Sequence, residues 1–433
     1  MLFGTATINQ QEHLEIGGVD TVALAKEFGT PLFIYDIAHI RTMAQGFKKT
    51  FESLGVKNKV IYASKAFSCL AIYQLLAEES LACDVVSGGE LYTALTAGFD
   101  PENIEYHGNN KTYQELQEAV AAKVGTIVID NFYEIEILSE ILHQQKQKQK
   151  VLFRVSPGIE AETHEYILTG QVDSKFGFDV ASGQAEQALQ MLLADDVFEV
   201  AGVHCHIGSQ IFDTAGFKVA IETVIDLLAK WQTELNFEAA VLNIGGGFGI
   251  RYTKADDPLP PAEFVEILVK EIKNNWQKMT YPLPEIQIEP GRSIVAEAGT
   301  TLYAVGAQKE IPGIRKYVAV DGGMGDNIRP ALYNAEYDAL LANHQGSNSE
   351  KIRIVGKYCE SGDIVIRDIE FPEVEAGDLI AVTSTGAYGY SMASNYNRNR
   401  RPAVVFVENG NVQLAVRRES YQDLIRLDVP VEK

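Results

Sequence analysis

The chain has 433 residues, 46% hydrophobic and 22% charged, an ordinary globular composition long enough to bury a sizeable core in two or three domains. Asp and Glu outnumber Lys and Arg by 59 to 37, and the resulting net charge of −22 opposes binding to nucleic acid or to an anionic membrane surface. No apolar run reaches the ~18–20 residues that span a bilayer, the start MLFGTATINQ has no secretory pattern, and Cys69, Cys83, Cys205 and Cys359 form no C-x-x-C or zinc spacing, so a cytoplasmic protein with reduced thiols is expected.

The segment up to about residue 35 does not assign itself to a domain. Beyond it, eight apolar runs of strand length follow at 59–64, 81–87, 103–108, 126–130, 151–156, 199–207, 239–244 and 285–289. Their near-continuous hydrophobicity suits parallel strands covered on both faces. Segments 66–79, 111–123, 131–145, 214–236 and 262–279 have helical periodicity. In 131–145 the pair Asn131 and Glu134 predicts a capping box, and Ile135, Leu138, Ile141 and Leu142 a buried stripe. The longer spacing after 156 predicts an insertion at 157–180, a candidate lid. Eight βα units predict a (β/α)8 barrel over 36–297, with a doubly wound open sheet as the structural alternative. After 297, strand-like runs at 316–320, 351–358, 363–367, 378–384, 402–407 and 412–417 are separated by Gly, Asp and Asn. They predict a second, all-β domain of sandwich or barrel type, made of 1–35 and 298–433. Within it Glu408-Asn409-Gly410-Asn411 is a type I′ hairpin signal.

A (β/α)8 enzyme carries its chemistry at the C-terminal ends of its strands. Those ends gather Lys65, Asp84 and Glu90, His107, Arg154, His206, Gly245-Gly246-Gly247, Glu289 and Arg292. Consecutive glycines let backbone N–H groups close on an anion, and the loops after strands seven and eight are the usual phosphate site of barrels. A desolvated lysine becomes a nucleophile able to form a Schiff base, although a salt bridge of Lys65 with Asp84 or Glu90 reads equally from the sequence. His204 and His206 alternate onto one strand face. A zinc pair fits that spacing, but no further ligands are evident and no metal is expected; a ring stacked on a flat cofactor fits as well. A carboxylate at Glu289 can keep a pyridine nitrogen protonated, or simply pair with Arg292. Together a lysine, a phosphate cradle, a stacking histidine and a pyridine-binding acid compose a pyridoxal-phosphate site.

At this point the sequence resembles the fold type III pyridoxal-phosphate-dependent decarboxylases of basic amino acids, and among them most the diaminopimelate decarboxylase branch. The resemblance covers about 30–425 and rests on YASKAF (62–67), CDVVSGGEL (83–91), HCHIGSQ (204–210), NIGGGFG (243–249), EPGR (289–292), DNIRPALY (326–333), YCESGD (358–363) and TGAYGYSMASNYN (385–397). It implies pyridoxal 5′-phosphate on Lys65, His206 on the ring and Glu289 at the ring nitrogen. Ser209, Gly245, Gly246, Gly247, Gly291, Arg292 and Tyr388 would surround the phosphate and adjoining pocket, with Asp84, Glu90 and Arg154 as supporting charges. Arg292, Arg329, Tyr333 and Tyr388 would bind substrate, the arginines reading a distal carboxylate. Cys359, as proton donor, and Glu360, as ammonium contact, would come from the partner subunit of a homodimer. The implied reaction takes meso-2,6-diaminoheptanedioate to L-lysine and CO2, the last step of lysine biosynthesis. A decarboxylase of ornithine, lysine or a D-amino acid, and a non-catalytic binding relative, stay open. Phe67 departs from the Asn often found there in this family.

Overall fold

The aliphatic runs become eight parallel strands: β1 Asn58–Ala63, β2 Ala82–Val85, β3 Ile104–Tyr106, β4 Thr126–Ile129, β5 Gln149–Ser156, β6 Phe198–His204, β7 Val241–Asn243 and β8 Glu285–Ile288. This is a computed structural model describing residues 1–158, 174–346 and 348–431. Each strand pairs with the next, and β8 returns to β1 with Ile288 opposite Val60, closing the ring. The closed parallel ring excludes the open sheet. The strands belong to a compact unit of Met43–Gly249 and Pro258–Ser293.

Helices Leu70–Glu78, Tyr113–Ala122, Phe132–Gln145, Ala215–Leu235 and Pro261–Trp276 lie where periodicity placed them. Their apolar stripes bury Leu228 and Trp231, or Leu268 and Ile272, completely or nearly so. At Phe132–Gln145 only half of the expected capping box forms. Asn131 accepts from the Glu134 N–H at 2.9 Å, but the Glu134 carboxylate turns to the Asp130 N–H and to Lys111 at 2.7 Å. A buried lysine competes for that carboxylate and wins. Three further helices of this unit, Met43 onward in Ile37–Ser53, then Gly88–Thr96 and Gln184–Ala194, were not signalled by the sequence pattern. The expected insertion contains a short strand, Phe178–Asp179, parallel to β5, while 159–173 lie outside the described residues.

The second unit comprises Met1–Thr42, Ile250–Asp257 and Ile294–Lys433. Its main sheet runs in the order Ile364–Pro372, Ser349–Val355, Arg315–Val320, Gly299–Ile311, Leu32–Asp36, Ala403–Glu408, Asn411–Val416. Leu379–Val382 pairs with both Gly299–Ile311 and Ala339–Leu341. The hairpin forms as the sequence signalled, with Glu408 opposite Asn411 and positive φ at Asn409 (51°) and Gly410 (76°), as type I′ requires. The unit is not purely β: short helices Thr21–Phe28, Arg329–Tyr333 and Tyr421–Ile425 interrupt it. Among the described residues no helix is long and apolar enough to cross a membrane.

Candidate active site

The barrel interior is polar where most barrels pack aliphatic side chains. Lys59 pairs with buried Glu105 at 3.6 Å, and the Asn243 amide reaches both Glu105 (3.4 Å) and Gln287 (3.3 Å). Burial raises the Glu105 carboxyl to about 7, against the pull of Lys59.

One step toward the C-terminal ends lies Glu289, also buried. Its carboxylate accepts from the Asn243 amide at 2.8 Å and stands 3.1 Å from His204 Nε2 and 3.3 Å from His107 Nε2. The two imidazoles meet edge to face, with centroids 5.0 Å apart. Burial opposes ionisation of Glu289, but electrostatic attraction to His204 and His107, with the His204 hydrogen bond, outweighs it and holds the group below the usual carboxylate range. Burial pushes His107 down to about 3, so its ring is neutral. The donor atoms of His107, His204 and Glu289 all lie within 4.8 Å of one another, a metal-compatible spacing. The His204–His206 pair considered from sequence does not form one: β6 ends at His204, and His206 Nδ1 instead accepts from the Gly246 N–H at 3.2 Å. Burial, then the charge of Lys65, keeps His206 well below its ordinary pKa and hence neutral.

Lys65 sits on a single 3-10 turn, Ser64–Ala66, directly after β1, and its side chain is exposed. The expectation of a desolvated lysine is therefore corrected: the apolar strand ends before it. Asp84 accepts from the Ser64 N–H at 2.8 Å and Glu90 from the Val86 N–H at 2.8 Å, so backbone bonds fix both acids. Burial and the nearby Glu289 charge raise Asp84 well above the usual carboxylate range, with Lys65 opposing them. Arg154 stacks on Phe176, 4.4 Å from the ring centroid, and among the described residues its buried Nη2 has no hydrogen-bond partner.

The glycine run is built for close approach. A Cβ at Gly245 would lie 2.5 Å from the Cys205 carbonyl oxygen, at Gly246 2.1 Å from that of Glu289, and at Gly247 2.2 Å from that of Gly208. No side chain fits there, and backbone is left to line the strand ends. At Gly291 a Cβ would meet the Ala63 Cβ at 2.7 Å. Arg292 donates to the Ser209 hydroxyl at 2.8 Å, which brings these two predicted anion ligands together. The cradle, the exposed amine, the neutral His206 and the buried Arg154 Nη2, without a partner among the described residues, all suit a flat, phosphorylated aldehyde.

In the second unit Arg329 is 7% exposed, and among the described residues no carboxylate lies within 4.0 Å of it. Its guanidinium donates to the Tyr337 hydroxyl and lies 4.7 Å from the Tyr252 ring centroid. Neither tyrosine was foreseen, because neither lies in a quoted motif. Tyr333 is half-buried at the end of the same helix, four residues on from Arg329. Cys359 and Glu360 are exposed on a loop tied by Asp363, which accepts from the Met324 (2.6 Å) and Tyr358 (2.8 Å) N–H groups. Cys359 is the only exposed cysteine of the four, whereas burial raises Cys69 to about 11 and Cys205 to about 12. Tyr388 is half-buried with a left-handed φ of 58°, an uncommon conformation for tyrosine. A groove of about 690 Å³ in this unit, lined by Pro330, Tyr337 and His344 among others, contains none of the predicted site residues, so chemistry rather than volume locates the site.

Residues 37–296 match the model of the pyridoxal-dependent decarboxylase pyridoxal-binding domain, and the chain belongs to this family. A diaminopimelate decarboxylase of Bacillus subtilis is 57% identical over 99% of this chain and 98% of its own. One from Staphylococcus aureus is 46% identical over 97% and 99%. A crystal structure of the M. jannaschii diaminopimelate decarboxylase with L-lysine superposes with a TM-score of 0.94 at 36% identity, covering 100% of this chain and 99% of that one. The fold class read from the sequence is thereby established.

Proposed function

We propose that the chain decarboxylates meso-2,6-diaminoheptanedioate to L-lysine with pyridoxal phosphate carried on Lys65. The observation that supports it most is the grouping, at one end of one barrel, of an exposed lysine, a buried carboxylate and a glycine run with no room for a side chain. When bound, pyridoxal phosphate supplies an electron sink for the electrons left behind as CO2 departs.

The chain's own residues set the conditions. Lys65 would hold the aldehyde group of the cofactor. Asp84 and Glu90 are fixed by the backbone N–H groups of Ser64 and Val86 and would support the lysine's turn. Glu289, an anion, favours a protonated ring nitrogen. His206, a neutral imidazole, covers a ring face without adding charge. Gly245, Gly246, Gly247, Gly291, Ser209, Arg292 and Tyr388 bind the phosphate side, and Arg154 adds positive charge. Every amino-acid substrate presents the same reacting end, so selection falls to the distal end. Arg329 and Arg292, with Tyr333 and Tyr388, bind the distal carboxylate, for which a guanidinium offers two parallel donors. Glu360 binds the distal ammonium and Cys359 returns a proton to the α-carbon. In this reading both come from the partner in a homodimer.

Borohydride reduction followed by peptide mapping tests the cofactor assignment: the label is expected on the peptide bearing Lys65. A substrate panel of diaminopimelate, lysine, ornithine and arginine, scored by CO2 release, tests the substrate. Preference for lysine or ornithine would overturn the role given to Arg329.

A further inference from the structure

We infer that His204, buttressed by His107, is a positioning residue that keeps Glu289 an anion and orients its carboxylate for the cofactor's ring nitrogen. The inference rests on the proposed placement of pyridoxal phosphate on Lys65 and deepens it.

Glu289 is buried, and an isolated carboxyl in such a place takes up a proton. A protonated Glu289 would donate to the ring nitrogen rather than accept from it, and the ring would lose its positive charge. The hydrogen-bond pattern prevents this. Oε1 is surrounded by the Asn243 amide at 2.8 Å, His204 Nε2 at 3.1 Å and His107 Nε2 at 3.3 Å. Among the described residues Oε2 meets His204 Nε2 at 3.2 Å, so one nitrogen spans both oxygens, and the other lone pair of Oε2 can still accept. A proton on Oε1 would face the Asn243 N–H, which cannot accept it.

The tautomer follows from the surroundings. Among the described residues His204 Nδ1 is buried with no hydrogen-bond partner, so an N–H is satisfied on Nε2, facing Glu289, and not on Nδ1. Neutral donors are what the ring nitrogen requires. An imidazolium would neutralise Glu289 itself and repel a protonated ring. His107 packs edge-on against the His204 ring at 5.0 Å and fixes its plane. Other charged groups sense the same carboxylate: Asp84, Arg154, His206 and, from the layer below, Glu105 with its partner Lys59. His204 and Asn243 hydrogen-bond to Glu289 directly, so the positioning falls to them.

The test uses holoenzyme loaded with ring-15N-labelled pyridoxal phosphate, comparing wild type, His204→Phe, His204→Gln and, as reference, Glu289→Gln. Wild type is expected to show a protonated ring nitrogen at neutral pH. His204→Phe should shift it toward the neutral form, as Glu289→Gln does. His204→Gln, whose amide N–H can replace Nε2–H, should restore it. The turnover number should fall about 10- to 100-fold in His204→Phe, the size of one hydrogen bond to a charged acceptor, with recovery in His204→Gln. A protonated nitrogen in His204→Phe, with cofactor still on Lys65 by borohydride mapping, overturns the inference alone. Cofactor absent from Lys65 in wild type overturns the underlying placement instead. Should His204→Phe not fold, the wild-type apoprotein still decides: its His204 15N shifts are expected to report a neutral Nε2–H ring, and a doubly protonated ring overturns the inference. Stoichiometric zinc in the purified protein, lost in His204→Gln, also overturns it by making the three groups a metal site.

Discussion

Replacing Arg329 with Met separates what a buried cation costs from what it does. The guanidinium is 7% exposed and held by the Tyr337 hydroxyl and the faces of Tyr252 and Tyr337, at 4.7 and 5.5 Å from their centroids. Removing such an ion from water costs several kcal/mol. Two ring faces return about 0.5–2 kcal/mol each and the hydrogen bond about 1.5–3 kcal/mol. These nearly cancel, so a methionine that fills the slot between the rings should alter stability by no more than about 2 kcal/mol. Substrate binding is different, because truncating one partner of a buried, hydrogen-bonded ion pair costs about 2–5 kcal/mol. That corresponds to a loss of about 30- to 5,000-fold in kcat/KM. The assay is CO2 release from diaminopimelate and from lysine, alongside thermal melting and cofactor absorbance. We expect the diaminopimelate value to collapse, the lysine value to hold, and melting and cofactor content to stay near wild type. A variant within threefold of wild type on diaminopimelate would refute the reasoning.

In Gly246→Ala a Cβ would sit 2.1 Å from the Glu289 carbonyl oxygen, so the ends of β7 and β8 must part; we expect a lower Tm and at least tenfold weaker cofactor retention on dialysis, overpacking being worth about 1–3 kcal/mol, and unchanged retention would reject the cradle. Cys359→Ala should cripple turnover while leaving the cofactor bound, since the thiol is exposed and only its backbone N–H is anchored, to Asn397 at 2.8 Å. Mixing Cys359→Ala with Lys65→Ala chains should restore part of the activity if the partner supplies the thiol; no recovery from verified mixed dimers counts against that. Burial raises Asp326 to about 7, so between the ordinary carboxylate pKa near 4 and that value the folded chain binds more protons than the unfolded one and stability falls as pH rises. Asp326→Asn should therefore raise Tm more at pH 8 than at pH 5, and an equal shift at both would contradict the assignment.

The barrel was legible because parallel strands covered on both faces must be apolar almost throughout, as in Val151–Phe153 or Ile127–Ile129, all fully or nearly fully buried. Gly299–Ile311 escaped notice although it has 13 residues: its first half is buried and its second half exposed, so neither a continuous run nor an alternation persists. Leu32–Asp36 carries a run like a barrel strand yet pairs with Gly299–Ile311 and Ala403–Glu408, a choice made by distant partners. Individual site residues were visible at strand ends, but their companionship was not. His204 and Glu289 are 85 residues apart and meet only because the barrel closes. The exposure of Lys65 was misjudged from its apolar approach: one 3-10 turn suffices to lift it clear of the strand.

The acidity of the chain sharpens what the site must do. A net charge of −22 repels an anionic cofactor at long range, but at physiological ionic strength the Debye length is ~8 Å and most of that surface is screened. Affinity has to come from short-range donors. In the barrel unit the proposed ones are Arg154, Arg292, Ser209 and the glycine backbone, carried on or next to the strand ends. In the other unit Arg329 is buried beside tyrosines, while Cys359 and Glu360 stand on an exposed loop. Under the proposed roles, the first set governs the chemistry common to all amino acids and the second the choice among them. Changes at Arg329 or Glu360 should therefore alter substrate preference while leaving the cofactor bound, whereas changes at Gly246 or Glu289 should impair every substrate alike.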